Sequence, residues 1–388
     1  MHQLKNNIWK NYIWNFFFLF IIFEPVLYVY FMEELSFTLT QVMISISFFL
    51  FLLAIFEIPT GVVGDKLGYK KTLILGGVSY VLGAIGYLLS QNFYHVLIAE
   101  VFWGLGTALQ SGSWEGFIYD TLKNLKKVKD YKKVLGRSYA FFWTGLAISS
   151  LLGGFIANIN LKWVILIGFI PLIIPPIIAA TFVEPKRIKK KSTHLEHIGE
   201  SFKRVISKKK LLYYAVNFVI LLLVIDTAFH FFQPLLKSLE LNYIVFGVLF
   251  SIGYIVSGIG SILGHFVEKY LGEKKILFLM YIVIFFSLIL MGISFTPTVL
   301  LALLLILIII GLQAPIITDY INHHIQSHNR ATVNSIINLT RTMVVAIFTP
   351  ILGYLADIWS MQTVFFIEAG FIFIAFIIIM IWRKRIKL

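Results

Sequence analysis

Apolar stretches of about 20 residues, separated by short charged or turn-forming segments, recur along the whole chain. A helix crosses the hydrocarbon core of a bilayer in about 20 residues, so each stretch predicts one membrane-spanning helix. Six fall at roughly 12–32, 40–64, 72–90, 93–119, 134–157 and 161–183. Six more fall at roughly 211–236, 243–267, 275–294, 297–319, 330–355 and 361–382. The fold class expected is an all-α membrane protein of twelve transmembrane helices in two pseudo-symmetric six-helix bundles. The bundles cover residues 1–183 and 211–388, and a basic linker over 184–210 joins them.

Composition agrees with this pattern. Of the 388 residues 59% are hydrophobic and 13% charged, against about 25% charged in a soluble domain. Cysteine is absent, which removes disulfides, thiolate metal sites and catalytic thiols from consideration. The opening MHQLKNNIWK runs into an apolar stretch without a small-residue cleavage site, so the reading is a retained first helix.

The net charge of +14 raises nucleic acid as a partner, but its distribution argues for membrane orientation. All but three of the 33 basic residues fall on one side of the twelve-span layout, the exceptions being Lys162, Lys237 and Arg341. Lys and Arg are enriched in cytoplasmic loops, which predicts a multi-pass cell-membrane protein with both termini in the cytoplasm. The linker carries Lys186, Arg187, Lys189, Lys190 and Lys191, then Lys203, Arg204 and Lys208 to Lys210. Its second part is placed either on anionic headgroups or in solvent.

An internal repeat sharpens the picture. Gly61, Asp65, Lys66, Gly68, Lys70 and Lys71 reappear as Gly264, Glu268, Lys269, Gly272, Lys274 and Lys275, each set following the second helix of its half. Two repeats of the same orientation are a transporter architecture. The segment GVVGDKLGYKK at 61–71 resembles the loop motif of the major facilitator superfamily, and the likeness extends over nearly the whole chain. In that family the loop latches the cytoplasmic gate. The resemblance implies that Asp65 faces the start of the eleventh helix near Asn329 and Arg330, with Arg137 as a cationic partner; the plainer alternative is a topological anchor. Physically, the glycines allow a tight turn and close approach, and a carboxylate suits a helix N-terminus.

Two departures limit the analogy. The fourth helix has Glu100 where proton antiporters of the family place an arginine, and the fifth keeps Gly145, Gly153 and Gly154 but has Ser149 and Ser150 in place of Gly-Pro.

Charges inside spans are costly, about 3 kcal/mol at the bilayer centre on insertion scales, and so mark candidate sites. Glu24 precedes Pro25, which removes a backbone hydrogen bond and can open the first helix around the carboxylate. Asp226 and His230 share a helical face, continued by Gln233; imidazole titrates near neutral pH, so the pair is a candidate proton relay or a structural hydrogen-bonded pair. Arg341 needs a counter-charge from Asp226, Glu24 or Glu368, chiefly as a structural ion pair. Glu57 reads as serving the gate more than the cavity, Glu115 and Asp120 close the fourth helix on the cytoplasmic side, and Asp120 and Asp319 read as gate or interface charges. Trp103, Trp114, Phe141, Phe142 and Trp143 either line a pocket for a flat apolar ligand or pack between helices. The excess of embedded carboxylates favours cationic or amphipathic substrates.

The expected function is secondary active transport by alternating access, as proton-coupled export of a small amphipathic or cationic molecule by a monomer without a cofactor. A nutrient or metabolite importer and a lipid flippase are the alternatives. A membrane enzyme is the alternative from another class, with His323, His324 and His328 as its best support, and these lack the acidic partner or nucleophile of a hydrolytic zinc motif. A non-transporting sensor fits poorly with so many embedded charges. No nucleotide-binding loop pattern occurs.

Overall fold

The computed structural model describes residues 2–186, 205–325 and 330–386. The elements follow from the hydropathy pattern. They are α1 (His2–Phe18), α2 (Leu27–Glu34), α3 (Leu39–Leu67), α4 (Tyr69–Leu89), α5 (Phe93–Ser111), α6 (Ser113–Asn124), α7 (Tyr131–Ile159), α8 (Leu161–Leu172) and α9 (Ile174–Ala180). There follow α10 (Lys209–His230), α11 (Phe232–Ser238), α12 (Tyr243–Leu271), α13 (Glu273–Ile293), α14 (Thr296–His323), α15 (Arg330–Ile358) and α16 (Met361–Arg385).

Among the described residues, ten helical segments are individually long and apolar enough to cross a membrane. The first and fourth spans complete the twelve in two pieces each, as α1 with α2 and α5 with α6. The first span departs from expectation at both ends. Its helix starts at His2 and breaks between Phe18 and Glu24, where a single 3-10 turn covers Glu24–Val26. Pro25, which cannot donate a backbone hydrogen bond, sits in that turn. The early start has a separate cause: Asn7, Asn11 and Asn15 recur at helical spacing and are all buried, so residues that look soluble by hydropathy face protein.

Their amides are satisfied in turn. Asn7 donates to the Val183 carbonyl at 2.8 Å and accepts from the Val183 N–H at 3.0 Å. Asn11 donates to the Ser138 hydroxyl at 2.7 Å, and Asn15 donates back to the Asn11 carbonyl at 2.8 Å. Away from water an unmet amide is costly, which makes this ladder the attachment of α1 to α7 and to the end of the sixth span.

The chain divides into two compact units, Met1–Lys190 with Glu240–Ile255, and Lys191–Leu239 with Val256–Leu388. In the first, α1 packs on α7, α4 packs on α5 and on α8 and α9, and α3 packs on α5. In the second, α10 packs on α15, and α13 on α14 and α16, while Gly260 of α12 meets Gly311 of α14. These are the same pairings between equivalent spans, so the repeat read from the loops extends to the helix packing.

At the ends opposite the basic loops, polar side chains cap the next helix. Thr38 and Gln41 form a reciprocal capping box on α3, while Asn92, Asn160 and Ser360 accept from the first turns of α5, α8 and α16. Outward faces carry exposed Ile, Leu and Phe, including Ile98, Phe155, Leu166, Ile347 and Ile374, as a lipid-facing surface does.

Candidate functional site

In the first unit, the break in the first span presents Glu24. The Tyr254 hydroxyl, from the first half of α12, donates to one carboxylate oxygen, and Ser150 of α7 donates to the other at 3.4 Å. The approach of α7 is made possible by its glycines. A Cβ on Gly145 or Gly153 would collide with the carbonyl oxygens of Phe16 and Ile22, which flank and occupy the break. Gly154 serves α12 in the same manner: its Cβ would lie 2.8 Å from the Gly247 Cα. The serine that departs from the exporter pattern is thus a ligand of the candidate carboxylate. Trp143 stands beside Tyr254, with ring centroids 6.0 Å apart.

Glu100 is also buried in this unit and accepts from the Tyr87 hydroxyl at 2.8 Å. An aromatic wall of Phe23, Tyr80, Tyr87 and Trp103 surrounds that bond, with ring centroids 4.8 to 6.0 Å apart. Tyr28 lies in the field of both Glu24 and Glu100. Trp103 and Trp114 are packed in the interior, while Phe141 is exposed and stacks on Tyr12.

In the second unit the partner of Arg341 is Asp226. The guanidinium Nε donates to Asp226 Oδ2 at 2.9 Å and Nη2 donates to the same oxygen. His230 lies one turn further along α10, within the field of Arg341. The helix is interrupted just beyond, at Phe231, before Gln233 in α11. Glu368, the other candidate counter-charge in this unit, is bonded instead by the Thr227 hydroxyl. Asp226 and Thr227 are consecutive residues of one helix, so each engages a different neighbouring span.

The loop motifs make matching turns. Gly68 (φ +94) and Gly272 (φ +74) each end one helix and begin the next, in a region of φ and ψ open essentially to glycine alone. Gly61 does not make a close approach, since a Cβ there meets no described atom within 4 Å. The side chain of Asp65 and residue Asn329 lie outside the described residues, as does His328. Lys66 and Lys71 are exposed, Lys70 is half-buried, and Arg137 is exposed on α7.

At the N-terminus of α4, the helix that follows this loop, sits the carboxylate of Glu184. Its two oxygens accept from the N–H groups of Tyr69 and Lys70 at 2.8 and 2.7 Å, closing the start of α4 with charge of the favourable sign. Tyr69 also donates to Asp120 at 3.0 Å, and Tyr139 donates to Glu115 at 2.8 Å. Asp319 pairs with His323, at 3.2 Å between Oδ2 and Nδ1. His324 bonds the Tyr320 carbonyl and packs on Tyr214, so the two described histidines are held by their own helix and its neighbours.

Comparison with known proteins is consistent with this construction. No curated protein matches the sequence. A mutant form of the nucleoside transporter NupG is similar in structure, with TM-score 0.82 at 14% identity over 98% of this chain and 99% of that one. A bacterial homologue of the human lysosomal transporter Spinster has TM-score 0.72 at 16% identity, covering 90% and 81%. A POT family transporter crystallised with 5-aminolevulinic acid has TM-score 0.75 at 13% identity, covering 99% and 96%. The sequence description of the Major Facilitator Superfamily matches residues 13–349. With this match over most of its length, the chain belongs to the major facilitator superfamily and is a membrane transporter rather than an enzyme.

Proposed function

We propose that this transporter is a proton-coupled exporter of a small cationic or amphipathic molecule, working by alternating access as a monomer in the cell membrane with both termini in the cytoplasm. The proposed domains are bundles 1–183 and 211–388 with a basic linker at 184–210. One observation carries the reading: Glu24 sits at a break in its span, held by the hydroxyls of Tyr254 and Ser150. A hydroxyl donor leaves a carboxylate able to take either a proton or a cation, whereas a guanidinium would neutralise it permanently. Glu100 and Glu368 are also held by hydroxyls.

The Asp226–Arg341 pair supplies a second charged element, with His230 as a proton acceptor one turn away. Gly61, Asp65, Lys66, Gly68, Lys70, Lys71 and Arg137 are assigned to the gating loop. Uptake of a polar solute such as a nucleoside is the second reading, suggested by the structural likeness to the nucleoside transporter NupG.

The test is proton movement in proteoliposomes of the full chain on addition of a panel of cationic amphipaths and, separately, nucleosides. Substrate-dependent proton flux that fails in Glu24→Gln, Asp226→Asn or His230→Ala supports coupled export. Flux with nucleosides alone moves the assignment to the second reading. Counterflow of a cationic amphipath without proton flux refutes the coupling.

A further inference from the structure

Where α10 begins, its first residues come together with the ends of α14 and α16 around a cavity of about 500 Å³ lined by Lys208, Lys209, Lys210, Leu211, His324, Arg385 and Ile386. Four of these seven residues carry a positive charge, and none of the lining residues among those described is acidic. Among the described residues of this unit, Glu273 is engaged with Arg383 and Asp319 with His323. Lys208, which precedes the first turn of α10, leaves that turn without a side-chain cap, so its N–H groups add donors at the same place. The His324 ring is held at the cavity wall by its Nδ1 bond to the Tyr320 carbonyl at 2.8 Å.

The surroundings identify the source of the anion. Arg385 lies at the end of a stripe of α16, Ile374, Ile377, Ile378 and Ile381, whose members recur at helical spacing and are all exposed. Ile206, just ahead of α10, is exposed as well. A soluble phosphate has no use for such a stripe. A diacyl phospholipid needs both parts, cations for the headgroup and an apolar face for the chains, and basic pockets between spans at the headgroup level hold anionic lipids.

We propose that this cavity binds the phosphate headgroup of an anionic phospholipid, with an acyl chain lying along the isoleucine stripe of α16. The leaflet, the inner one, follows from the orientation proposed above; the headgroup chemistry stands without it. The site joins the last residues of the linker and the start of α10 to the last residues of the final span, so an occupied site ties the beginning of the seventh span to the end of the twelfth.

Native mass spectrometry of the full-length protein tests this with added phosphatidylglycerol, phosphatidylcholine and inorganic phosphate as probes. The expected result is retention of phosphatidylglycerol at about tenfold lower concentration than phosphatidylcholine. That preference is expected to be lost in the fourfold variant Lys208→Gln, Lys209→Gln, Lys210→Gln and Arg385→Gln. It should persist in Lys126→Gln, Lys127→Gln and Lys129→Gln, which removes exposed charges beyond α6. Ile378→Ser with Ile381→Ser should weaken lipid retention without touching the cations.

If the fourfold variant does not purify as a folded species, Lys209→Gln and Arg385→Gln singly should each lower retention. Equal loss in the control triple, or undiminished retention in the cavity variants, overturns the proposal. Displacement of phosphatidylglycerol by millimolar phosphate would assign the cavity to a soluble anion and overturn the lipid source. Because the readout is binding, a failed transport assay leaves this result interpretable.

Discussion

Replacing Gly68 by alanine separates two costs that the structure superimposes at one residue. The first is conformational. At φ +94 and ψ 161 an alanine is strained by about 1–3 kcal/mol. The second is steric and electrostatic: the new Cβ would stand 2.8 Å from Glu184 Oε1. That carboxylate is the tip of a flexible side chain and will swing away, and what is lost is its capping of Tyr69 and Lys70, worth about 0.5–2 kcal/mol. Gly272 isolates the first cost, because it has the same kind of backbone at φ +74 with nothing within 4 Å of a Cβ.

Gly68→Ala should therefore lower stability more than Gly272→Ala, by about 1 kcal/mol, roughly fivefold in the unfolding equilibrium. Stability of the purified protein in detergent, followed by tryptophan fluorescence during denaturant unfolding, reads both. In a Glu184→Ala background the excess should vanish and Gly68→Ala should match Gly272→Ala, a double-mutant cycle with a coupling near the cap energy. Equal losses for the two glycines, or an excess that survives without Glu184, would refute the reasoning.

Other outcomes follow from the same geometry. Arg341→Met leaves Asp226 without its guanidinium and should destabilise by about 3–5 kcal/mol, while Arg341→Met with Asp226→Leu recovers much of that; thermal stability in detergent distinguishes them. Asn11→Leu removes the bond to Ser138 and should cost about 0.6–2 kcal/mol, the range for interhelical hydrogen bonds in membranes, measurable by the same unfolding assay. Tyr254→Phe removes a donor to Glu24 and should shift the pH dependence of substrate-driven proton flux, with a smaller effect on folding than Glu24→Lys; an unchanged pH profile counts against a role for that bond. Gly154→Leu drives a side chain into the Gly247 backbone and should sharply reduce folded yield, whereas Gly136→Leu, with open space around its Cβ, should be tolerated.

The twelve spans were legible because apolar runs of the right length have one interpretation in a bilayer, and the paired glycine turns were legible because the repeat placed them at equivalent positions. What escaped was information held by tertiary contact. Asn7, Asn11 and Asn15 look solvent-facing in any hydropathy scale, though their spacing of four was available as a signal. Glu184 opens a basic segment and reads as linker, yet it is the carboxylate at the start of α4. Tyr254 sits among apolar residues of α12 and carries no mark of its bond to Glu24. For Arg341 three counter-charges were open, and only packing of α10 against α15 selects Asp226.

The asparagine ladder of α1 also bears on how the protein is made. Asn7 finds its partner at Val183, 176 residues later, and Asn11 finds Ser138 after 127. At about 5–20 residues per second of synthesis, the first helix leaves the ribosome roughly 10–35 seconds before the segment that completes its hydrogen bonds. During that interval its amides must be met by the insertion machinery or by headgroup water, so α1 enters the bilayer as a provisional span and becomes a permanent one when the sixth arrives.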